Sequence, residues 1–197
     1  APDRWDTLLQ FLEKRNFDLA EMEKGGLLSA RGEGKGQGYI DRFRGRVIFP
    51  ISNRTGKVIA FAGRILGEGQ PKYLNSPESK LFNKSRILYN LHQSKASIRK
   101  TRQIVLFEGY GDVISAWDAG VHNGVATMGT SLTENHMALM KSMADEIVLS
   151  YDGDRAGQAA AMKAIPLLEG NGLRVKIAVL PSGMDPDDFV SSYGGDR

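Results

Sequence analysis

Four short apolar runs, each followed by a helical stretch, fill the second half of the 197-residue chain and leave one class of fold open. The runs lie at 103–107, 125–128, 146–151 and 173–180. Helical patterns follow at 112–119, 133–143, 155–169 and 186–193. Gly120 ends the first helix, Thr133 suits the N-cap of the second, and Gly170 and Gly172 close the third. Strict alternation of strand and helix predicts a parallel sheet with helices on both faces. Ala156, Ala159, Ala160 and Ala164 would let the third helix sit close to that sheet.

The first half follows another grammar. Residues 5–24 read as one helix, with Trp5, Leu8, Leu9, Leu12 and Phe17 on a face and Gly25-Gly26 as its stop. The stretch 31–38, RGEGKGQG, holds four glycines and no apolar residue and reads as a mobile loop. Two β-rich runs, 46–51 and 57–62, flank Asn53-Arg54-Thr55-Gly56 and predict a hairpin. Residues 67–86, with Pro71 and Pro77, read as a long ordered loop, and 90–100 as a basic helical connector. The expected organisation is a smaller basic α+β subdomain over 1–100 and an α/β subdomain over 101–197.

Charge divides in the same way. Residues 31–104 hold 16 Lys/Arg and 4 Asp/Glu, a balance of +12. Residues 105–197 hold 6 and 13, a balance of −7, so the overall +3 hides two pieces of opposite sign. A basic piece suits polyanions, although two ordinary solvated surfaces would give the same count. The chain has no cysteine, which excludes a disulfide framework, a thiolate zinc site and a thiol nucleophile. At 41% hydrophobic it can bury a core, and no apolar run reaches the roughly 20 residues of a membrane span. Its first residues do not form a signal peptide. The start without Met and the end at 194–197 read as those of an excised fragment.

Ligands of open parallel sheets bind at the carboxyl ends of the strands. Glu108-Gly109-Tyr110-Gly111-Asp112 follows the first strand, Asp152-Gly153-Asp154-Arg155 the third, and Asp185-Pro186-Asp187-Asp188 the fourth. Residues i and i+2 of an extended chain point the same way about 6.6 Å apart. Gly153 therefore leaves room beside Asp152 and Asp154 for a ligand or another backbone. Crowded carboxylates repel and take up protons unless a cation joins them, and Mg²⁺ is the hard, oxygen-seeking candidate. Each acid has a plainer reading: Glu108 as a solvated strand end, Asp154 as a helix cap, and Asp185 as a cap before an N1 proline.

On these residues the second half resembles a Toprim domain, the metal-binding fold shared by bacterial primases, topoisomerases and some nucleases. The whole chain resembles the RNA polymerase core of the bacterial DNA primase family. The resemblance rests on YIDRFRGRVIFPI at 39–51, AGR at 62–64, PKYLNSPE at 71–78, EGYGDV at 108–113 and YDGDRAG at 151–157. Gly111 and Met184 depart from the expected pattern without removing an acid. The fold implied is a Toprim-type parallel sheet flanked by helices, preceded by the smaller basic α+β subdomain.

The resemblance implies catalytic and metal-binding roles for Glu108, Asp152 and Asp154, with Asp185 and Asp187 completing the acidic cluster and Gly109, Asp112 and Arg155 supporting it. It implies nucleotide or template contacts for Arg44, Arg46, Arg64, Lys72, Tyr73, Asn75 and Lys84. The implied reaction is synthesis of RNA primers on single-stranded DNA in the bacterial cytoplasm, with two or more Mg²⁺ or Mn²⁺ ions. Ribonucleoside triphosphates are the implied substrates, and guanosine polyphosphates would compete with them. The family's zinc module and the domain that meets the replicative helicase are expected outside these residues. A Toprim nuclease or topoisomerase, or a Toprim module that binds nucleic acid without chemistry, are the competing readings. The basic first half speaks against the first, and the full set of acids against the second.

Overall fold

The computed structural model describes residues 1–31 and 38–194. Most of the glycine-rich stretch expected as a mobile loop, residues 32–37, lies outside the described residues. The chain divides into two compact units, Ala1–Ser52 with Lys57–Asn83, and Asn53–Gly56 with Lys84–Arg197.

The first unit opens with two helices, α1 (Thr7–Glu13) and α2 (Leu19–Lys24), where the apolar spacing predicts one. Asn16 adopts a left-handed φ of 58° and breaks the run. Asp18 then caps α2, its carboxylate accepting from the amides of Ala20 at 2.8 Å and Glu21 at 3.2 Å. Trp5 is 61% and Phe17 49% exposed, so the expected apolar face buries only Leu12 in α1. A two-stranded ribbon joins β1 (Leu28–Ala30) to β2 (Tyr39–Asp41). Asp41 ends β2 with a buried carboxylate that takes two orphan donors of the first turn of α1, the amides of Leu8 at 2.7 Å and Leu9 at 2.8 Å.

The expected hairpin is present as β3 (Arg46–Ser52) paired with β4 (Val58–Ile65), and β5 (Tyr73–Asn75) adds a third antiparallel strand. The sequence pattern left β5 inside a loop, because three residues between prolines carry no period. Residues directly opposite in a ladder share a face, so the pairings Val47–Arg64–Tyr73 and Phe49–Ala62–Asn75 line up one face of this sheet. The rings of Phe49 and Tyr73 meet there, centroids 6.4 Å apart.

The second unit begins with a 3₁₀ turn (Lys84–Arg86) and α3 (Leu91–Thr101). The strands β6 (Gln103–Phe107), β7 (Gly124–Ala126), β8 (Glu146–Leu149) and β9 (Arg174–Ile177) form a parallel sheet in the order β7-β6-β8-β9. Helices α4 (Tyr110–Asp118), α5 (Glu134–Lys141), α6 (Arg155–Gly170) and α7 (Pro186–Tyr193) flank it. Ile104, Leu106, Ile147 and Leu149 are fully buried beneath Ile98 of α3, Met140 of α5 and Leu168 of α6. A parallel sheet covered in this way reads as continuous apolar strands rather than alternating ones. Leu91 and Ile98 belong to this core, so α3 packs within the second compact unit. Among the described residues no helix is long and apolar enough to cross a membrane.

Strand order decides where a ligand can enter. From β6 the chain crosses to β7 on one side, then returns past β6 to β8 on the other. The loops leaving β6 and β8 therefore diverge and open the crevice of a topological switch point. Glu108 leaves β6 and Asp152 follows β8 at this point.

Candidate functional site

Glu108 and Asp152 are brought together, the Asp152 amide donating to Glu108 Oε1 at 3.3 Å. Asp154 stands two residues on and caps α6, its Oδ1 accepting from the Gly157 amide at 2.7 Å. Asp185 caps α7 in the same manner, accepting from the Asp188 amide at 2.7 Å ahead of Pro186. The capping readings of both aspartates hold, and each keeps its carboxylate at the carboxyl edge of the sheet. Asp187 accepts from the hydroxyl of Ser115 on α4. Asp112, in the first turn of α4, reaches back to accept from the Gly109 amide at 3.0 Å.

Gly153 resolves the choice between ligand and backbone. A Cβ there would lie 2.4 Å from the carbonyl oxygen of Pro181 and 2.9 Å from that of Met184. Its amide donates to the Met184 carbonyl at 2.8 Å, and its own carbonyl accepts from Gly183 at 3.3 Å. The bare backbone thus draws the 181–184 loop, and with it Asp185, onto the Asp152–Asp154 turn. Gly157 serves the same turn from α6, since a Cβ would meet the Asp152 carbonyl oxygen at 2.3 Å.

Gathering these acids has an electrostatic cost. Burial first, then the charges of Asp152, Asp185 and Glu108, push the Asp112 carboxyl up to about 7 against the opposing Gly109 hydrogen bond. Burial also raises Glu108, and Asp152 and Asp154 add to the effect. Burial raises the Tyr151 hydroxyl as well, with a smaller push from Glu108. Among the described residues no three Asp, Glu or His side chains are grouped so as to enclose one ion. The donor set nevertheless fits a hard divalent cation: it is all oxygen, and its raised proton affinities are what a cation would relieve.

The basic candidates separate into two kinds. Arg64 is exposed and shares its sheet face with Tyr73 and Asn75, and Lys72 is exposed just ahead of β5. Arg46 is not a surface cation. It is 6% exposed and donates through Nη1 to the carbonyls of Gly63 at 2.9 Å and Lys72 at 3.3 Å. Arg44 stacks its guanidinium over Trp5 at 3.8 Å and donates to the Asp41 carbonyl at 2.8 Å. Lys84 opens the 3₁₀ turn of the second unit. Arg155 is the exposed first residue of α6.

Charge and periodicity gave no sign of three further features. Arg42 Nη2 holds the Asn75 carbonyl at 3.0 Å. His136, fully buried in α5, holds the carbonyls of Lys84 and Ile87. A cleft of about 570 Å³ opens beside Glu108, lined by Thr127, Ser131, Tyr151, Ala159 and Lys163.

A parallel sheet with an acid after one central strand and an Asp-Gly-Asp turn after its neighbour defines the Toprim class. Residues 105–190 match the Toprim-like family, and residues 1–95 match the family described as DNA primase catalytic core, N-terminal domain. The DNA primase of Halalkalibacterium halodurans is 51% identical over all 197 residues, which cover 33% of that relative. A DNA primase domain from Pseudomonas aeruginosa superposes with a TM-score of 0.90 at 41% identity, covering 98% of this chain and 61% of that one. A DnaG primase catalytic domain bound to single-stranded DNA superposes at 0.87 and 36% identity, covering 100% of this chain and 61% of that one. The chain belongs to the DNA primase family, within its catalytic core. It spans about a third of the length of the curated relatives it matches. Toprim domains bind divalent metals, and the acids gathered at this edge offer oxygen donors.

Proposed function

We propose that this chain carries the nucleotidyl-transfer centre of a primase, a DNA-directed RNA polymerase that makes short RNA primers on single-stranded DNA. One observation carries the reading: Glu108 and Asp152 meet at the switch point of the sheet, with Asp154 and Asp185 held at the same edge. Mg²⁺ or Mn²⁺, two or more, would be held by Glu108, Asp152 and Asp154 with Asp185 and Asp187, and would supply charge to the reacting phosphates. Gly153 and Gly157 hold the turn that presents Asp152 and Asp154. Asp112 fixes the Gly109 amide next to Glu108 and so sets the direction in which Glu108 leaves β6.

In the first unit Arg64, Lys72, Tyr73 and Asn75 form a surface offered to template or triphosphate, and in the second unit Lys84 offers a further cation for phosphate. Arg64, Lys72 and Lys84 supply charge-assisted bonds to phosphate, and Tyr73 an aromatic face for a base. The single-stranded DNA bound to the related DnaG domain supports a template partner of that chemistry. Guanosine polyphosphates, offering the same phosphates, compete with ribonucleoside triphosphates in this reading. The setting is the bacterial replication fork in the cytoplasm, where the full protein meets the replicative helicase through residues other than these.

The test is incorporation of labelled ribonucleotide on a single-stranded template with Mg²⁺ or Mn²⁺. Template-dependent short RNA supports the reading. Template cleavage without synthesis, or binding without either, overturns it.

A further inference from the structure

The carbonyls of the segment that opens the second unit converge on one end of one helix. His136 lies in the first turn of α5 and is fully buried. Its Nε2 stands 2.9 Å from the Lys84 carbonyl oxygen and 3.2 Å from that of Ile87. Both partners only accept, so Nε2 carries the proton and donates to the two together. Thr133, the N-cap of α5, donates its hydroxyl to the Ser85 carbonyl at 2.6 Å while accepting from the His136 amide at 3.3 Å. Three carbonyls within four residues are thereby fixed from a single helix 48–52 positions further along the chain. A three-residue 3₁₀ turn is short and weakly bonded in itself. The three bonds from the start of α5 add a fixed tertiary anchor to this stretch of backbone.

We propose that His136 and Thr133 are positioning residues for Lys84, fixing its Cα so that its ammonium reaches phosphate at one place. The proposal rests on the reading of Lys84 as a nucleotide- or template-binding side chain. The physical reason is reach: a lysine carries its charge on a flexible four-carbon stem, so where its backbone stands limits where that charge can go. His136 Nδ1 has no hydrogen-bond partner although it is buried. The hydrogen bonding of the ring is thus confined to Nε2. Burial also holds the ring below its ordinary pKa and keeps it neutral, with one donor.

A core histidine that merely supports folding would lower thermal stability and leave substrate affinity alone. The test is therefore primer synthesis by the full chain, with KM for ribonucleotide and kcat measured separately, in Lys84→Ala, His136→Phe, Thr133→Val and the two double variants. His136→Phe keeps an aromatic ring and removes the donor. It is expected to raise KM roughly 3- to 10-fold, the scale of one or two lost hydrogen bonds, with a smaller effect from Thr133→Val. Neither change should raise KM further in the Lys84→Ala background. Equal effects in both backgrounds, or a loss of melting temperature with KM unchanged, would overturn the positioning role while the reading of Lys84 survives. Wild-type KM in Lys84→Ala alone would instead overturn the reading of Lys84 and the proposal together. If His136→Phe does not fold, Thr133→Val decides the matter by the same comparison.

Discussion

The amide of Asp152 donates to Oε1 of Glu108 at 3.3 Å, across the carboxyl ends of the neighbouring parallel strands β6 and β8. Two carboxylates that repel each other are thus held by a hydrogen bond from the backbone of one to the side chain of the other. The contact exists because the strand order reverses between β6 and β8, which leaves that edge of the sheet open. Everything else near the site either brings another acid to this pair or steadies the loops that carry them.

Gly153→Ala should be costly out of proportion to one methyl group. The added Cβ would lie 2.4 Å from a backbone carbonyl oxygen that cannot swing away as a side chain could. The expected loss is about 2–4 kcal/mol of stability by denaturant unfolding, together with loss of activity as the loop bearing Asp185 is pushed off. Wild-type stability in the variant would mean that the 181–184 loop does not pack on this turn.

Asp112 gives the metal-free protein a pH dependence of definite sign. Its folded pKa, about 7, lies above the value near 3.9 expected for an unfolded aspartate. Between those values the folded state binds a proton that the unfolded state does not, so stability falls as pH rises from about 4 to about 7. Asp112→Asn keeps an oxygen for the Gly109 amide and removes the charge. Thermal melts should show the variant gaining on wild type across that window, by on the order of 2–4 kcal/mol at pH 8. A constant difference across the window would show that Asp112 does not titrate there.

The arginines should divide by burial rather than by charge. Arg64→Ala and Lys72→Ala should each weaken binding of single-stranded DNA and lower the slope of log affinity against log salt by up to about 0.7, at unchanged melting temperature. Arg46→Leu should do the reverse. It removes the buried donor of the Gly63 carbonyl and the second donor of the Lys72 carbonyl, which keeps the Ile65 amide, so it costs about 1–3 kcal/mol of stability and does not change the salt slope of any folded protein that remains.

Much of the second unit was legible because its elements are long and its punctuation is chemical. Thr133, Asp154 and Asp185 announce helix starts, and Gly120 and Gly172 take the positive φ that ends them. The acids could be placed at one edge because parallel strands must all deliver their loops to the same side. The first unit was less legible for physical reasons. Strands of three residues, such as β1, β2 and β5, show no period. One left-handed residue, Asn16, divides a helix that the apolar spacing joins. Charge counting treats Arg46 and Arg64 alike, although one is buried against carbonyls and the other is exposed. The hold of His136 on Lys84 spans 52 positions, and no local pattern encodes it.

The central claim is that Glu108, with Asp152 and Asp154, forms the centre of a nucleotidyl-transfer site, and primer synthesis by Glu108→Gln tests it most directly. Gln keeps the shape and an oxygen for the Asp152 amide while removing the charge. The account predicts at least about a 100-fold loss of template-directed ribonucleotide incorporation in Mg²⁺ or Mn²⁺, with a melting temperature equal to or above that of wild type. Synthesis at the wild-type rate by a folded Glu108→Gln protein would contradict it.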